Sequence, residues 1–475
     1  MGIYAKDVPL PESINRAHFC GIGGSGMSAV ARLFLQLGIS VSGTDRSDSI
    51  TLSELSQAGA IVKVGHDPAM LEGVDTFVYS GAIDSSNPEY AYAKRARINL
   101  LHRSLALKWI TRGKRLISIA GSHGKTSTTG MIATALHVLG NKCGVANGSY
   151  MNFFSANAFL GLNDLFVIEA DESDGSFLFY DTDISVVNNI SMDHVDYYGS
   201  QSALEGSFFD FSLRSSGAAV ISLDDAACIK IASKLLQSSG SRGPSKRVIT
   251  FGKNRSADVC LYEMGCMNPA RFTVLYEGRF YNAGFKGLFG EHHAVNTCAA
   301  LSVLLCLGYG ISESLEAILS FSGTRRRLEL HFDSGGKDGI KIFDDYAHHP
   351  REIRTALTAI RSVQHTRLIA LFQPHLYSRT AALHREFASV LENCADFTII
   401  LPVYAARESP IPGVDAKIIF DAYRDKRNVV MLEGFDHTLS FFRQFLRDGD
   451  LVITLGCGDV YKIIPSIVEQ LRSAR

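Results

Sequence analysis

Short apolar runs, each closed by glycine or by polar residues, recur along the chain. Between them, apolar residues fall at helical spacing. Such runs predict strands buried on both faces, and the three-and-four spacing predicts helices that cover them. His18–Ile22, Ile39–Thr44, Ile61–Val64 and Thr76–Tyr79 read as strands, and Met27–Leu37 as a helix that Gly38 stops. Leu116–Ala120, Leu165–Glu169 and Ile184–Asn188 are further buried strands, with a helix over Ser127–Leu139 and another over His292–Cys306. Arg247–Phe251, Val259–Glu263 and Phe272–Phe280 predict a small antiparallel annex. Ile340–Phe343, Leu368–Phe372, Phe397–Leu401 and Leu451–Leu455 predict a last set of strands. Alternating strands and helices imply parallel sheets with crossover helices. The pattern divides into segments 1–113, 114–323 and 324–475, an α/β protein of three domains.

Composition narrows the function classes. With 475 residues, 46% hydrophobic and 20% charged, the chain can bury several cores and is not globally disordered. A net charge of −1 argues against a general nucleic-acid binder or a polybasic membrane-surface protein. No apolar run reaches the ~18 residues a spanning helix needs. The first residues, MGIYAKDVPLPESINRAHF, lack the apolar stretch of a signal peptide. Nine cysteines are scattered and never spaced CxxC, which argues against a disulfide framework or a zinc site and fits a reducing cytoplasm.

The polar clusters sit just after the expected strands, where open α/β sheets bind ligands. The sharpest is Gly121, Ser122, His123, Gly124, Lys125, Thr126 and Ser127, between a strand and a helix. Backbone N–H groups and the helix N-terminus there suit phosphate oxygens. Lys125 suits β/γ charge, and the Thr126 hydroxyl suits Mg2+. The loop is a short variant, G-x-x-G-K-T, because Ile119 stands where the usual first glycine would be. Glu169 ends a strand 44 residues after Lys125 and opens the acidic stretch Asp171–Asp174, as a metal-holding carboxylate does. His194, after the next strand, is a candidate metal ligand or proton carrier. Gly21, Gly23 and Gly26 with Asp45 match the dinucleotide fingerprint, a loop that serves NAD or any other pyrophosphate, including that of a UDP-sugar. Asp345, Tyr346, His348 and then His375 and Arg379 follow two further strands, and an arginine suits a substrate carboxylate.

Taken in order, HFCGIGGSGMSAVA (18–31), YSGAI (79–83), GSHGKTSTT (121–129), EADESDGSF (169–177), NNISMDHVD (188–196), GEHHAVN (290–296), GTRRRLE (323–329), DDYAHHP (344–350), FQPHLYSRT (372–380) and PVYAARE (402–408) resemble the motif series of the Mur ligases over essentially the whole chain. The resemblance implies a cytoplasmic, ATP- and Mg2+-dependent ligase. Its Rossmann-like N-terminal domain (1–113) would bind the UDP-sugar. A P-loop ATPase-type α/β domain with the small annex (114–323) would bind ATP. A Rossmann-like C-terminal domain (324–475) would bind an amino acid and close over the nucleotide. The branch it resembles most joins L-alanine to the lactyl carboxylate of UDP-N-acetylmuramate through an acyl phosphate, the first peptide addition in peptidoglycan synthesis. By match to the family's motifs, Lys125 and Thr126 hold phosphates and Mg2+, and Glu169 and His194 are metal ligands. His292 and Asn296 lie where adenine is held. Arg326 and Asp345 are ATP contacts. Tyr346, His348, His375 and Arg379 form the alanine site, and Gly23, Gly24, Ser25 and Ser80 contact the UDP-sugar. The chain departs from the family pattern at His293, where Asn is usual, and at Leu376, where Arg is frequent. No lysine occurs between Lys142 and Lys230, so the carbamylated lysine of some members has no counterpart. The rival readings are a ligase recycling a murein tripeptide, an NAD-dependent oxidoreductase and a nucleotide-binding scaffold without catalysis.

Overall fold

The computed structural model describes residues 9–191, 195–238, 247–267, 270–336, 339–406 and 408–473. Two compact units emerge. One comprises Met1–Gly265, Arg271–Lys286 and His292–Thr324; the other comprises Arg325–Arg475 with the short pieces Cys266–Ala270 and Gly287–Glu291.

The first unit holds two sheets. A five-stranded sheet runs in the order Ile61–Val64, Ser40–Asp45, Arg16–Cys20, Thr76–Tyr79, Asn99–His102, every pair parallel. Chain order reverses at Arg16–Cys20, so the crevice at a topological switch point opens directly above Gly21–Gly26. The strand begins two residues before its expected start and ends at Cys20, because Gly21 takes φ +78 and turns the chain. The second sheet places Arg115–Ala120 between Leu165–Glu169 and Ile184–Val187, again all parallel. Ala120, Glu169 and Val187 therefore reach the same sheet edge, and the loops that follow them share it.

The annex differs from its sequence-based expectation. Arg247–Gly252 pairs parallel with Ala218–Ser222 and so continues the main sheet. The helix Ala226–Ser238 between them is the crossover that parallel pairing requires. The antiparallel part is the hairpin of Ala270–Tyr276 and Arg279–Gly284, which splits the expected strand Phe272–Phe280 at Glu277 and Gly278, both at positive φ. Strands Gly144–Met151 and Ala156–Phe159 form the other edge. The two sheets of this unit join through the helix Ser25–Gln36, with Asn157 Nδ2 donating to Ser28 Oγ at 3.2 Å, and through Arg103–Asp171 at 3.0 Å.

The second unit carries a six-stranded sheet in the order Glu329–Asp333, Lys341–Asp345, Asp450–Leu455, Arg367–Phe372, Phe397–Ile400, Val429–Met431. Only the edge strand Glu329–Asp333 is antiparallel. Helices pack both faces, and Phe343, Phe372, Phe387, Ile453 and Leu455 are among the side chains buried on one of them. Among the described residues no helix is long and apolar enough to cross a membrane. The cysteines whose side chains are described are free thiols.

Close backbone approach fixes Gly43 in the middle of its strand. A Cβ there would lie 2.6 Å from Ile22 Cδ1 and 2.8 Å from the Phe19 carbonyl oxygen. Gly43→Ala should therefore overpack the root of the Gly21–Gly26 turn and cost about 1–3 kcal/mol. Urea denaturation should show a lower midpoint at unchanged slope; an unchanged midpoint contradicts this account.

Candidate active site

Each unit has its own polar crevice. In the first, the helix Lys125–Val138 starts at Gly124, which takes φ +82 as N-cap. Gly121 takes φ +134, and a Cβ on it would meet Asn188 and Asn189 at 3.0–3.1 Å. A Cβ on Gly124 would lie 2.7 Å from Asn296 Oδ1. The loop is thus pinned between the end of the next strand and the helix Glu291–Cys306, and only glycine fits the two contact points. Asn189 closes the clamp. Its Oδ1 accepts from His123 N at 2.8 Å, and its Nδ2 donates to the His123 carbonyl at 3.0 Å. Ser122 exchanges hydrogen bonds with the Ser191 backbone. The turn leaves the first-turn N–H groups at the positive end of a 14-residue helix, an anion site by construction.

Lys125 is the first residue of that helix, two residues earlier than the pattern predicts. Its Nζ donates to the Gly121 carbonyl at 2.6 Å and to Glu172 at 2.9 Å. Burial opposes its charge, but Glu172, Asp171 and Glu169 outweigh burial and hold Lys125 above the ordinary lysine range. Thr126 and Ser127 are buried in the same first turn. Glu169 stands at its strand end and accepts the Gly148 N–H at 2.8 Å. A Cβ on Gly148 would fall 2.5 Å from the carboxylate, so the facing strand forms a cradle around it. Thr126 and Glu169 are hard oxygen donors of the kind Mg2+ takes, and they fit that ion. His194 lies outside the described residues.

One residue that no spacing rule marks, Arg103, completes this charge arrangement. Arg103 reaches Asp171 at 3.0 Å, and together Arg103 and Lys125 overcome burial to hold the Asp171 carboxyl down to about 2. Arg103 also fills the space beside Gly26, where a Cβ would lie 2.5 Å from its Nη1. At the Gly21–Gly26 loop, Gly21 N and Ile22 N donate to the Thr44 carbonyl, and Gly23 N donates to Asp45 Oδ2 at 2.9 Å. Gly24 and Ser25 begin the helix, and Ser80 lies half-buried after the neighbouring strand. His292 and Asn296 share one face of the helix Glu291–Cys306, one turn apart, with Asn296 against Gly124. His293 stands next to them, its ring 4.2 Å from that of His292. It is buried, its ring lies edge-on to Phe285 at 6.2 Å, and burial lowers its pKa far below the ordinary imidazole range.

In the second unit, Arg326 takes φ +59 and lies between the rings of Tyr461 at 4.4 Å and Tyr346 at 5.0 Å. Its guanidinium donates to Asp344 at 2.9 Å and to the carbonyls of Gly456 and Gly458. Asp345 accepts the N–H groups of Leu328 and Ala347, both at 2.8 Å. Tyr346 and His348 follow, their rings edge-on at 5.5 Å, and His348 lies 6.1 Å from His375. Burial lowers the His348 pKa against the opposing pull of Glu352, whose carboxylate is 3.4 Å away. His375 stacks on Tyr404 at 5.9 Å, and Arg379 Nη1 sits 3.4 Å from His375 Nδ1. Tyr346, His348, His375 and Arg379 therefore lie together in one cluster. Leu376 is buried and donates its N–H to the Tyr404 carbonyl at 3.0 Å.

Asp345 generates a prediction. Burial pushes its carboxyl from 3.8 up to about 6, with Arg327 pulling the other way. Between pH ~4 and ~6 the folded chain then binds more protons here than the unfolded chain, so this group's contribution falls as pH rises, by about 3 kcal/mol in all. Asp345→Asn lacks that titration. The stability of the variant relative to the parent should rise from pH 4 to pH 7 in urea melts, and a pH-independent gap contradicts the assignment.

Comparison with known proteins gives a consistent picture. Residues 16–115 match the model described as "Mur ligase family, catalytic domain", 119–304 the "Mur ligase middle domain" and 326–458 the "Mur ligase, glutamate ligase domain". The chain is 42% identical over 463 residues to the UDP-N-acetylmuramate–L-alanine ligase of Clavibacter michiganensis, covering 97% of this chain and 94% of that protein. It is 41% identical to the protein of the same name from Paenarthrobacter aurescens, at 97% and 98% coverage. Among solved structures, the UDP-N-acetylmuramate–alanine ligase of Thermotoga maritima superposes with a TM-score of 0.82 at 25% identity, covering 98% of this chain and all of that one. A murein peptide ligase from Psychrobacter arcticus gives 0.72 at 22% identity, at 97% and 99% coverage.

Proposed function

The chain belongs to the Mur ligase family, and we propose that it joins L-alanine to the lactyl carboxylate of UDP-N-acetylmuramate with hydrolysis of ATP to ADP and phosphate, the first peptide addition of peptidoglycan synthesis. The 42% identity across nearly the whole chain to ligases of that name carries the reading. The likeness to murein peptide ligase, at 22%, speaks for the fold alone. Free thiols fit a cytoplasmic enzyme.

The reaction proceeds in two displacements. The lactyl carboxylate attacks the γ-phosphorus of ATP, the bond to the bridging oxygen breaks, and an acyl phosphate and ADP result. The alanine amine then attacks the acyl carbon, phosphate leaves, and the amine's surplus proton passes to solvent or a nearby base. Such chemistry needs positioning and charge neutralisation more than a protein nucleophile. In this reading the backbone N–H groups of Gly121–Ser127 cradle the phosphates. Lys125 exchanges its Glu172 partner for the γ-phosphate, whose charge it meets already protonated. Mg2+, held by Thr126 and Glu169 with His194 as a further ligand, supplies charge neutralisation at the phosphates when bound. His292 and Asn296 take adenine. Gly23, Gly24, Ser25 and Ser80 take the UDP-sugar, which leaves Asp45 to close the loop through Gly23. Domain 324–475 binds alanine through Tyr346, His348, His375 and Arg379. Arg326 and Asp345 are assigned to ATP, and within their own unit they also fix the backbone that presents Tyr346.

Phosphate release from ATP in the presence of UDP-N-acetylmuramate and either L-alanine or a murein tripeptide tests the reading; faster release with tripeptide overturns it. In the same assay Lys125→Ala and Glu169→Ala should each lose at least ~3 kcal/mol of transition-state stabilisation, about two orders of magnitude or more in turnover. UDP-sugar affinity, measured by calorimetry, should stay near that of the parent.

Arg379 is the cation of the alanine cluster, and a fixed guanidinium orients the carboxylate so that the amine faces the acyl carbon. Arg379→Ala should raise the KM for alanine sharply with ATP affinity nearly unchanged. A pocket walled by Tyr346 and two imidazoles should accept L-serine and glycine about 10- to 200-fold less efficiently and reject large side chains. A normal alanine KM in the variant contradicts the assignment.

A further inference from the structure

Beneath the Gly21–Gly26 turn the fold gathers four metal-binding side chains from separate places in the chain. His18 and Cys20 stand two residues apart on one strand, so they share a face. His66 follows the strand Ile61–Val64, and Glu89 begins the helix Pro88–Arg95. Cys20 Sγ lies 3.7 Å from His66 Nδ1, His66 Nδ1 lies 3.2 Å from Glu89 Oε2, and His18 Nε2 lies 3.7 Å from the same oxygen. Cys20, His66 and Glu89 can each offer one ligand atom, all within 4.8 Å of one another.

Zinc–sulfur bonds of ~2.3 Å and zinc–nitrogen or –oxygen bonds of ~2.0–2.1 Å, set at tetrahedral angles, separate neighbouring donor atoms by about 3.3–3.6 Å. The separations Cys20–His66 (3.7 Å), His66–Glu89 (3.2 Å) and Glu89–His18 (3.7 Å) sit just outside that range, with Cys20, His66 and Glu89 as the compact group and His18 meeting it at Glu89. The fully buried His18 supplies an independent sign. Its Nε2 has no hydrogen-bond partner, although the His18 and Glu89 side chains are wholly inaccessible. A buried imidazole nitrogen without a partner costs free energy unless something binds it. Its other nitrogen, Nδ1, lies 2.9 Å from Ser42 Oγ. That is the outer contact by which a metal-bound histidine is oriented. Glu89 is steadied in the same way, its Oε1 accepting Asp67 N at 2.7 Å and its Oε2 accepting the Thr44 hydroxyl at 2.8 Å. His66, 26% exposed, gives a route from solvent.

We propose that Cys20, His66 and Glu89, with His18 beside Glu89 as the fourth donor, form a tetrahedral site for a zinc-class divalent cation, separate from the reaction centre, which clamps two strand ends and a helix start at the root of the Gly21–Gly26 turn. One thiolate, one carboxylate and two neutral imidazoles balance a dication, so the loaded site buries no net charge. Binding releases the Cys20 thiol proton to solvent by way of the open His66 side. The absence of CxxC spacing hides such a site, because its ligands meet through sheet topology.

Cobalt(II), the spectroscopic stand-in for zinc, tests this in the full-length protein after treatment with a chelator. Titration should give one cobalt per chain, with a thiolate-to-cobalt charge-transfer band and the strong visible bands of tetrahedral coordination, all displaced by zinc. Cys20→Val, close to isosteric, should lose the charge-transfer band. His66→Ala, at a partly exposed position, should weaken cobalt binding by more than the roughly 10- to 100-fold that loss of an outer partner costs. No band in the parent protein overturns the proposal. So does a band that persists in Cys20→Val, or an unchanged affinity in His66→Ala, and the last readout stands even where the cysteine variant fails to fold.

Discussion

A cation buried at the end of a hydrophobic strand has to be paired, and in the first unit the pairing of Lys125 organises what surrounds it. Desolvating an ammonium without a partner costs several kcal/mol, so the lysine needs carboxylates close by. Glu172 supplies the contact, and Asp171 adds charge beside it. Asp171, whose side chain is 37% exposed, is in turn paired with Arg103 at 3.0 Å, and Arg103 occupies the space that only a glycine at position 26 leaves open. One line of electrostatic necessity thus runs from the Gly121–Lys125 loop to the Gly21–Gly26 loop. The two glycine turns of this unit are thereby linked by ion pairs.

The same logic shapes the second unit with different residues. Arg326 is stationed by Asp344, two carbonyls and two aromatic rings, and the backbone of Tyr346 donates to the Arg326 carbonyl. A positive φ at Arg326 is the conformational cost of that arrangement, offset by three hydrogen bonds from the guanidinium. In both units the polar groups stand where parallel strands end, so a rigid sheet edge, and not a flexible loop, sets their spacing.

This is also why so much was legible in the sequence. A parallel strand buried on both faces must be apolar throughout and must end abruptly where it meets solvent. Arg115–Ala120, Leu165–Glu169 and Asp450–Leu455 announce themselves, and their terminal residues mark the crevice. The strand at the sheet edge and its neighbour lack that constraint. Gly144–Met151 and Ala156–Phe159 carry asparagine, serine and glycine and give no period to read. The direction of Arg247–Gly252 rests on recognising the helix Ala226–Ser238 as a crossover, so an unread helix became a misassigned pairing. The pairings of Arg103 and Glu172 and the His18–Cys20–His66–Glu89 group were invisible for another reason. Their partners lie tens of residues away in the chain, and no local spacing encodes a contact made by sheet topology.

The two departures from the family pattern show how the scaffold absorbs change. His293 is turned into the core against Phe285, one position off the face shared by His292 and Asn296. It therefore alters core packing and bears on that face through the His292 ring, 4.2 Å from its own. Leu376 is more consequential. It takes φ +71 and ψ 135, a region that side chains normally avoid, and it caps the helix Tyr377–Cys394. Its N–H is tied to the Tyr404 carbonyl, and its own carbonyl accepts the Thr380 hydroxyl, so the strained backbone is held from both sides. That held turn is what places His375 on the Tyr404 ring and Arg379, one helical turn on, beside His375. A buried leucine can serve the turn as well as an arginine can, because the backbone makes the contacts. What it cannot do is carry charge, and the guanidinium beside His375 is that of Arg379.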